Sequence, residues 1–179
     1  MRYTLKPHPD FAHPAIDISV EAERSGRDMM HLLFSVEGDT DDVIWPELDD
    51  QRFSDGLWKH SCCEAFVGLP DSSGYIELNV ATSMLWAAYA FDDYRAGMTP
   101  LPALDPISAG GSRPGSVWVS FAVRLPQLAR AVAWRVGLTV VIEAVDGTKS
   151  YWALAHAPGA PDFHNPDCFI ATLPAPTAP

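Results

Sequence analysis

The feature that most constrains this chain is the two-residue rhythm of its apolar side chains. In "IDISVEAE", Ile16, Ile18, Val20 and Ala22 fall on one side, with Asp17, Ser19 and Glu21 on the other. "MMHLLFSVE" repeats the pattern with Met30, Leu32, Phe34 and Val36, and the intervening "RSGRD" carries a glycine. Successive Cβ atoms of a strand point to opposite faces, so each segment can bury one side only as a half-covered strand. The pair predicts a hairpin. "VWVSFAVRL" alternates in the same way, with Val117, Val119, Phe121 and Val123 together. Further strand-like runs cover 60–69, 75–80 and 85–91. "WRVGLTVVIEAV" and "SYWALAH" flank "DGTK" as a second hairpin, and "DCFIATL" reads as the last strand. Residues 38–57 and 97–116 read as loops, and "PQLARAVA" as one or two helical turns with Pro126 at the start. About nine or ten short strands and at most one short helix predict an all-β fold, a single antiparallel β-sandwich. The expected domain covers 1–173, followed by a flexible Pro-rich tail over 174–179.

Charge and composition narrow the function. The chain has 179 residues and a formal net charge of -11, which repels a phosphate backbone and an anionic membrane, so no nucleic-acid or membrane partner is expected. At this length roughly 70% of the unfolded surface can be buried, so neither disulfide nor metal is needed to fold. The three cysteines, two of them adjacent, form no disulfide framework. The N-terminus has no apolar signal core, and no apolar run approaches the roughly 20 residues of a membrane span. These features predict a cytoplasmic protein, with its oligomeric state left open.

Period two also assigns faces. In "KHSCCEAFVG", Cys63, Ala65 and Val67 share one face, and His60, Cys62, Glu64 and Phe66 the other. Aligning apolar faces across "PDSSG" sets Cys63 opposite Val80, Ala65 opposite Leu78 and Val67 opposite Ile76. Glu64 then lies across from Asn79, with Glu77 diagonal to it. Pairing Val80 with Leu85 brings Trp86 beside Asn79. Pairing Val145 with Ser150 gives the last hairpin a face with Glu143, Trp152, Leu154 and His156. The loop "APGAPDFHNPD" adds Asp162, Phe163, His164 and Asp167.

Three stretches, "LWKHSCCEAFVG", "GYIELNVATSMLWAAYAFDDYRAGM" and "YWALAHAPGAPDFHNPDCF", resemble the DOMON-like proteins related to carbohydrate-binding module family nine. The glutamate strand followed by "YIELNVAT" is similar to that family's strand–turn–strand pattern. The resemblance spans roughly 45–173 and implies a jelly-roll-like sandwich that binds a ligand without chemistry. Relatives bind sugars between aromatic side chains, or haem. Glu64 and Asn79 match the polar strand positions, and Trp86 and Trp152 stand as stacking aromatics.

The expected ligand is a carbohydrate or a similar polar ring compound. His60, Glu64, Asn79 and Trp86 line one face, with Trp152, His156 and His164 at its rim. Two other readings remain. An enzyme would use Glu64 with His60 or Cys62, since a Cys–His pair activates a thiolate and two carboxyls suit acid–base work. A haem domain would draw axial ligands from Met84, Met98, His156 and His164. No metal site and no cofactor are expected, haem or calcium being the lesser readings. Zinc needs three or four converging ligands, and the adjacent cysteines point to opposite faces.

Overall fold

The structure, a computed structural model, describes residues 1–176. Among them, thirteen strands run β1 (Arg2–Thr4), β2 (Lys6–Pro7), β3 (Ile16–Ser25), β4 (Met29–Gly38), β5 (Cys62–Gly68), β6 (Tyr75–Val80), β7 (Trp86–Phe91), β8 (Thr99–Pro100), β9 (Ile107–Arg113), β10 (Ser116–Arg124), β11 (Ala133–Glu143), β12 (Lys149–Ala153) and β13 (Ala171–Pro174). Helix is limited to short 3-10 turns, one of them at Pro126–Leu128 where the sequence predicts helical turns. The strands form two antiparallel sheets. One has the order β1-β3-β4-β10-β9; the other runs β2-β12-β11-β5-β6-β7-β8, with β13 on β11. The alternating residues of β3, β4 and β10 meet those of β5, β6 and β11 in one core, which includes Val20, Phe34, Phe121, Ala65, Leu78 and Leu138. This is the β-sandwich that the two-residue rhythm predicts.

The β3–β4 hairpin forms as expected, with Ile18 opposite Val36 and Val20 opposite Phe34. The β5–β6 register is also the expected one: Cys63 meets Val80, Glu64 meets Asn79 and Ala65 meets Leu78. Two hairpins differ, for a shared reason. β6 and β7 pair Val80 with Trp86 rather than with Leu85, and Asn79 with Ala87. β11 and β12 pair Val140 with Trp152 and Ile142 with Ser150, rather than Val140 with Ala155. In both, a three-residue turn ends on a left-handed residue, Met84 (φ 70°) and Gly147 (φ 84°). Ala81 and Leu85 close the first, and Ala144 and Thr148 the second, through backbone bonds of 3.1 and 2.9 Å. A type I turn followed by a left-handed residue is a standard three-residue hairpin, shorter than the four-residue loops assumed from sequence.

The segment 97–116, expected to be a loop, contains β8 and β9. β9 reads "ISAGGSR" and pairs along β10 at the sheet edge. Its one large apolar side chain, Ile107, is exposed, so no alternation marks it. The first residues of the segment expected as a tail are ordered against β11. Pro174 closes β13, and Ala175 donates its N–H to the Val132 carbonyl at 2.8 Å. Residues 177–179 of that tail lie outside the described residues. No described helix is long and apolar enough to cross a membrane.

Candidate functional site

The outer face of the larger sheet collects the residues that do not enter the core. Across the ladders, Tyr151 lies beside Val141, Val141 beside Cys62, Thr139 beside Glu64, Glu64 beside Asn79 and Glu77 beside Tyr89. β11 lies between β5 and β12, so the outer faces of the β5–β6 and β11–β12 hairpins are one continuous surface. This surface is not open to water. Every residue of β5 and β6 is buried, on both faces. Phe66, Tyr75, Tyr89, Phe91 and Phe169 form a second apolar cluster on this side of the sheet.

Loops provide the cover, and their bracing is explicit. Phe169 follows the 3-10 turn Pro166–Cys168 and stacks on Phe66 with centroids 5.6 Å apart. It can do so because Gly137 faces it; a Cβ there would stand 2.7 Å from Phe169 Cδ1. His164 in the same loop meets the Tyr75 hydroxyl through Nδ1 at 2.7 Å. Asp162 accepts from Tyr94 Oη at 2.7 Å and from Arg95 Nη2 at 2.8 Å, which ties this loop to the segment after β7. On the opposite side, Tyr89 Oη donates to Asp55, and Trp58 packs edge-on against the Tyr89 ring at 5.7 Å.

A pocket of about 440 Å³ remains between these loops. Trp58, Phe66, Phe91, Tyr151 and Phe163 supply aromatic walls, and Glu64, Glu77, Arg95 and His164 supply polar groups. The volume and the mix of many apolar walls with few polar groups are those of a small-molecule site, typically about 300–1,000 Å³. Burial pushes the Glu64 carboxyl up to about 8, the neighbouring Glu77 adds to this, and the hydrogen bond from Thr139 Oγ1 opposes it. Glu77 is also raised by burial, against the hydrogen bond from Asn79. Burial and the nearby Arg95 lower His164 to about 4, so its imidazole is neutral at neutral pH. At 3.8 Å, His164 Nε2 and Glu77 Oε2 therefore do not form an ion pair there.

The seven residues expected from sequence divide. Glu64 and His164 line the pocket. Asn79 lies directly beneath, fully buried, holding Glu77 Oε1 at 2.7 Å. The other four are placed elsewhere than expected. Trp86 and Trp152 belong to the sandwich core, because the three-residue turns move both to the inner face. His60 follows the 3-10 turn Leu57–Lys59 before β5 begins, is exposed, and meets Glu143 Oε2 at 2.7 Å. His156 bonds the Lys6 carbonyl at 2.8 Å and packs against His8. Two pocket residues not expected from sequence, Trp58 in the 3-10 turn Leu57–Lys59 and Arg95 in the loop after β7, lie where no alternation fixes direction; Met98, expected only as a haem ligand, is in a loop as well. Phe91 and Tyr151 were displaced by the misjudged turns.

The geometry also bears on the thiol and haem readings. Cys62 is buried against the Val80 carbonyl at 3.6 Å, and burial, with Glu64 next, raises its thiol well above the usual range. An attacking cysteine needs the opposite shift. His60 turns to Glu143, so it does not activate Cys62. Of the haem candidates, Met98 and His164 reach the pocket. His164 Nδ1 meets the Tyr75 hydroxyl at 2.7 Å, and its Nε2 lies 3.8 Å from Glu77 Oε2.

No protein-family pattern matches the sequence, and no curated protein matches it. Solved structures do match in fold. A Bacteroides uniformis protein, described as a candidate carbohydrate-binding protein, superposes with a TM-score of 0.71 at 14% identity, over 97% of this chain and 85% of that one. A carbohydrate-binding module of family nine from Caldicellulosiruptor kristjanssonii, in complex with cellotriose, superposes with a TM-score of 0.58 at 11% identity, over 97% of this chain and 81% of that one. The same kind of module in complex with glucose gives a TM-score of 0.54 at 11% identity, over 91% of this chain and 78% of that one. At these identities the likeness establishes a shared β-sandwich fold with family-nine modules.

Proposed function

We propose that this protein is a non-catalytic ligand-binding domain whose pocket takes a carbohydrate or a similar polar ring compound. The observation that carries this reading is an aromatic-walled pocket over a polar floor: Trp58, Phe91, Tyr151 and Phe163 stand around Glu64, Glu77 and His164. Flat aromatic rings cover the apolar face of a pyranose, while carboxyl and imidazole groups bond its hydroxyls. Protonated at neutral pH, Glu64 can donate as well as accept. Asn79 acts by positioning Glu77, and Trp86 and Trp152 support the sheet from the core side. The fold neighbours, named as sugar-bound modules, favour the same ligand class. This reading would also place the chain near the DOMON-like domains that its three stretches resemble.

A thermal-shift screen with mono- and disaccharides tests it, since a ligand that binds only the folded state raises Tm by mass action. The expected result is a saturable rise with at least one sugar that is lost in Trp58→Ala. A panel in which no sugar moves Tm but a metal ion does would overturn the proposal.

A further inference from the structure

The pocket floor has more acid than base. Glu64 is 3% exposed; its Oε2 faces Thr139 Oγ1 at 3.0 Å, and its Oε1 has no hydrogen-bond partner among the described residues. Glu77 is 5% exposed; its Oε1 accepts from Asn79, and its Oε2 is 3.8 Å from His164 Nε2, beyond hydrogen-bond range. Neither free oxygen is sealed in protein. Among the described residues, the side-chain polar atom enclosed without a partner is Arg24 Nη1, in the other sheet. Both carboxyls therefore open into the pocket they line.

The positive charges nearby are already matched. Arg95 gives Nη2 and Nε to Asp162 Oδ1 at 2.8 and 3.3 Å. The His164 imidazole is neutral at neutral pH. At the end of the sheet His60 meets Glu143, and the Lys149 ammonium donates to the Lys59 carbonyl. The other titratable groups on this face are Cys62, Tyr75, Tyr89, with Asp55 on its hydroxyl, Tyr151 and Arg135; Arg135, the one cation of these, gives Nη2 to the Pro166 carbonyl at 2.7 Å and does not line the pocket. The chain as a whole carries a formal charge of -11.

We infer that the pocket selects its ring ligand by charge: a ring bearing an ammonium group binds better than its neutral counterpart, and one bearing a carboxylate binds worst. The amino sugars are the carbohydrates of this description; that identification rests on the sugar reading above, while the charge order does not. An ammonium between Glu64 Oε1 and Glu77 Oε2 makes charge-assisted hydrogen bonds where water is scarce. A carboxylate brings one more acid to the same place, and each of the three groups that ionises disfavours ionisation of the others. Because the Glu64 carboxyl is protonated at neutral pH, the ammonium releases a proton as it binds, and affinity for it rises with pH.

Calorimetric titration at neutral pH with two matched series tests this. One series is glucosamine, glucose and glucuronate; the other is cyclohexylammonium, cyclohexanol and cyclohexanecarboxylate. An opposite charge at hydrogen-bonding range moves a carboxyl by about one pH unit or more, so the ammonium member should bind about tenfold tighter than the neutral one. The carboxylate should bind weakest, and Glu77→Gln should shrink the gap between ammonium and neutral ligands. If a series binds without that order, or if nothing in either series binds, the inference is overturned. If the cyclohexanes follow the order while every pyranose fails, charge selection stands and the sugar reading falls. If the pyranoses bind irrespective of charge, the sugar reading stands and charge selection falls.

Discussion

Replacing Glu64 with Gln should stabilise the protein, and by more as the pH rises. Burial, reinforced by Glu77, holds this carboxyl at about 8 in the folded chain, against a reference of 4.5. Below the reference value both folded and unfolded chains keep the proton. Above it the unfolded chain gives the proton up while the folded chain retains it, so stability falls with pH until the folded group ionises. At about 1.4 kcal/mol per pH unit, the ionised folded state carries a cost of about 5 kcal/mol. The amide of Gln cannot ionise and can still accept from Thr139, whose hydroxyl is 3.0 Å from Glu64 Oε2. The variant should therefore gain a few kcal/mol over the parent between about pH 5 and neutrality, and little more beyond about pH 8. Urea unfolding of both proteins across this range measures the difference directly. A stability difference that does not change with pH, or that moves in favour of Glu, would show that Glu64 is not held in its acid form and would refute the reasoning.

Three further outcomes follow from the same geometry. Gly137→Ala places a Cβ 2.7 Å from Phe169 Cδ1, so it should cost about 1–3 kcal/mol and weaken ligand binding by shifting the loop that carries Phe163 and His164; unchanged amide signals in that loop would contradict it. Trp86→Ala should cost about 3–5 kcal/mol as a core truncation, whereas Trp58→Ala at the pocket should cost less than about 1 kcal/mol, as denaturant midpoints will read. The buried Cys62 thiol should resist iodoacetamide at neutral pH in the native protein and react once the chain is unfolded; rapid native labelling would revive the thiol reading.

What the sequence made legible is what period two controls. It paired Cys63 with Val80 and Glu64 with Asn79, and so brought the acid floor of the pocket together. It misjudged Trp86 and Trp152, because the identity of a strand's inner face depends on turn length. Nothing in "ATSM" advertises that Met84 adopts a left-handed backbone. His60 failed for a related reason: the 3-10 turn Leu57–Lys59 delays the strand, so alternation does not extend back to it. β9 was missed because Ala109, Gly110 and Gly111 carry no apolar signal on an exposed edge. Trp58, Arg95 and Phe163 enter the pocket through loops held by tertiary contacts, such as the Arg95–Asp162 pair, which link segments far apart in sequence.

The central claim is that the ligand sits on the loop-covered face of the larger sheet. Chemical-shift mapping with glucose and with glucosamine tests this most directly, because two indoles report on opposite sides of the sandwich. Trp58 lines the pocket, whereas Trp118 is exposed on β10 of the other sheet. Saturable shifts are expected at the Trp58 indole and at the amides around Phe163 and His164, with Trp118 unmoved. Shifts gathered around Trp118, or no saturable shift with either sugar, would contradict it.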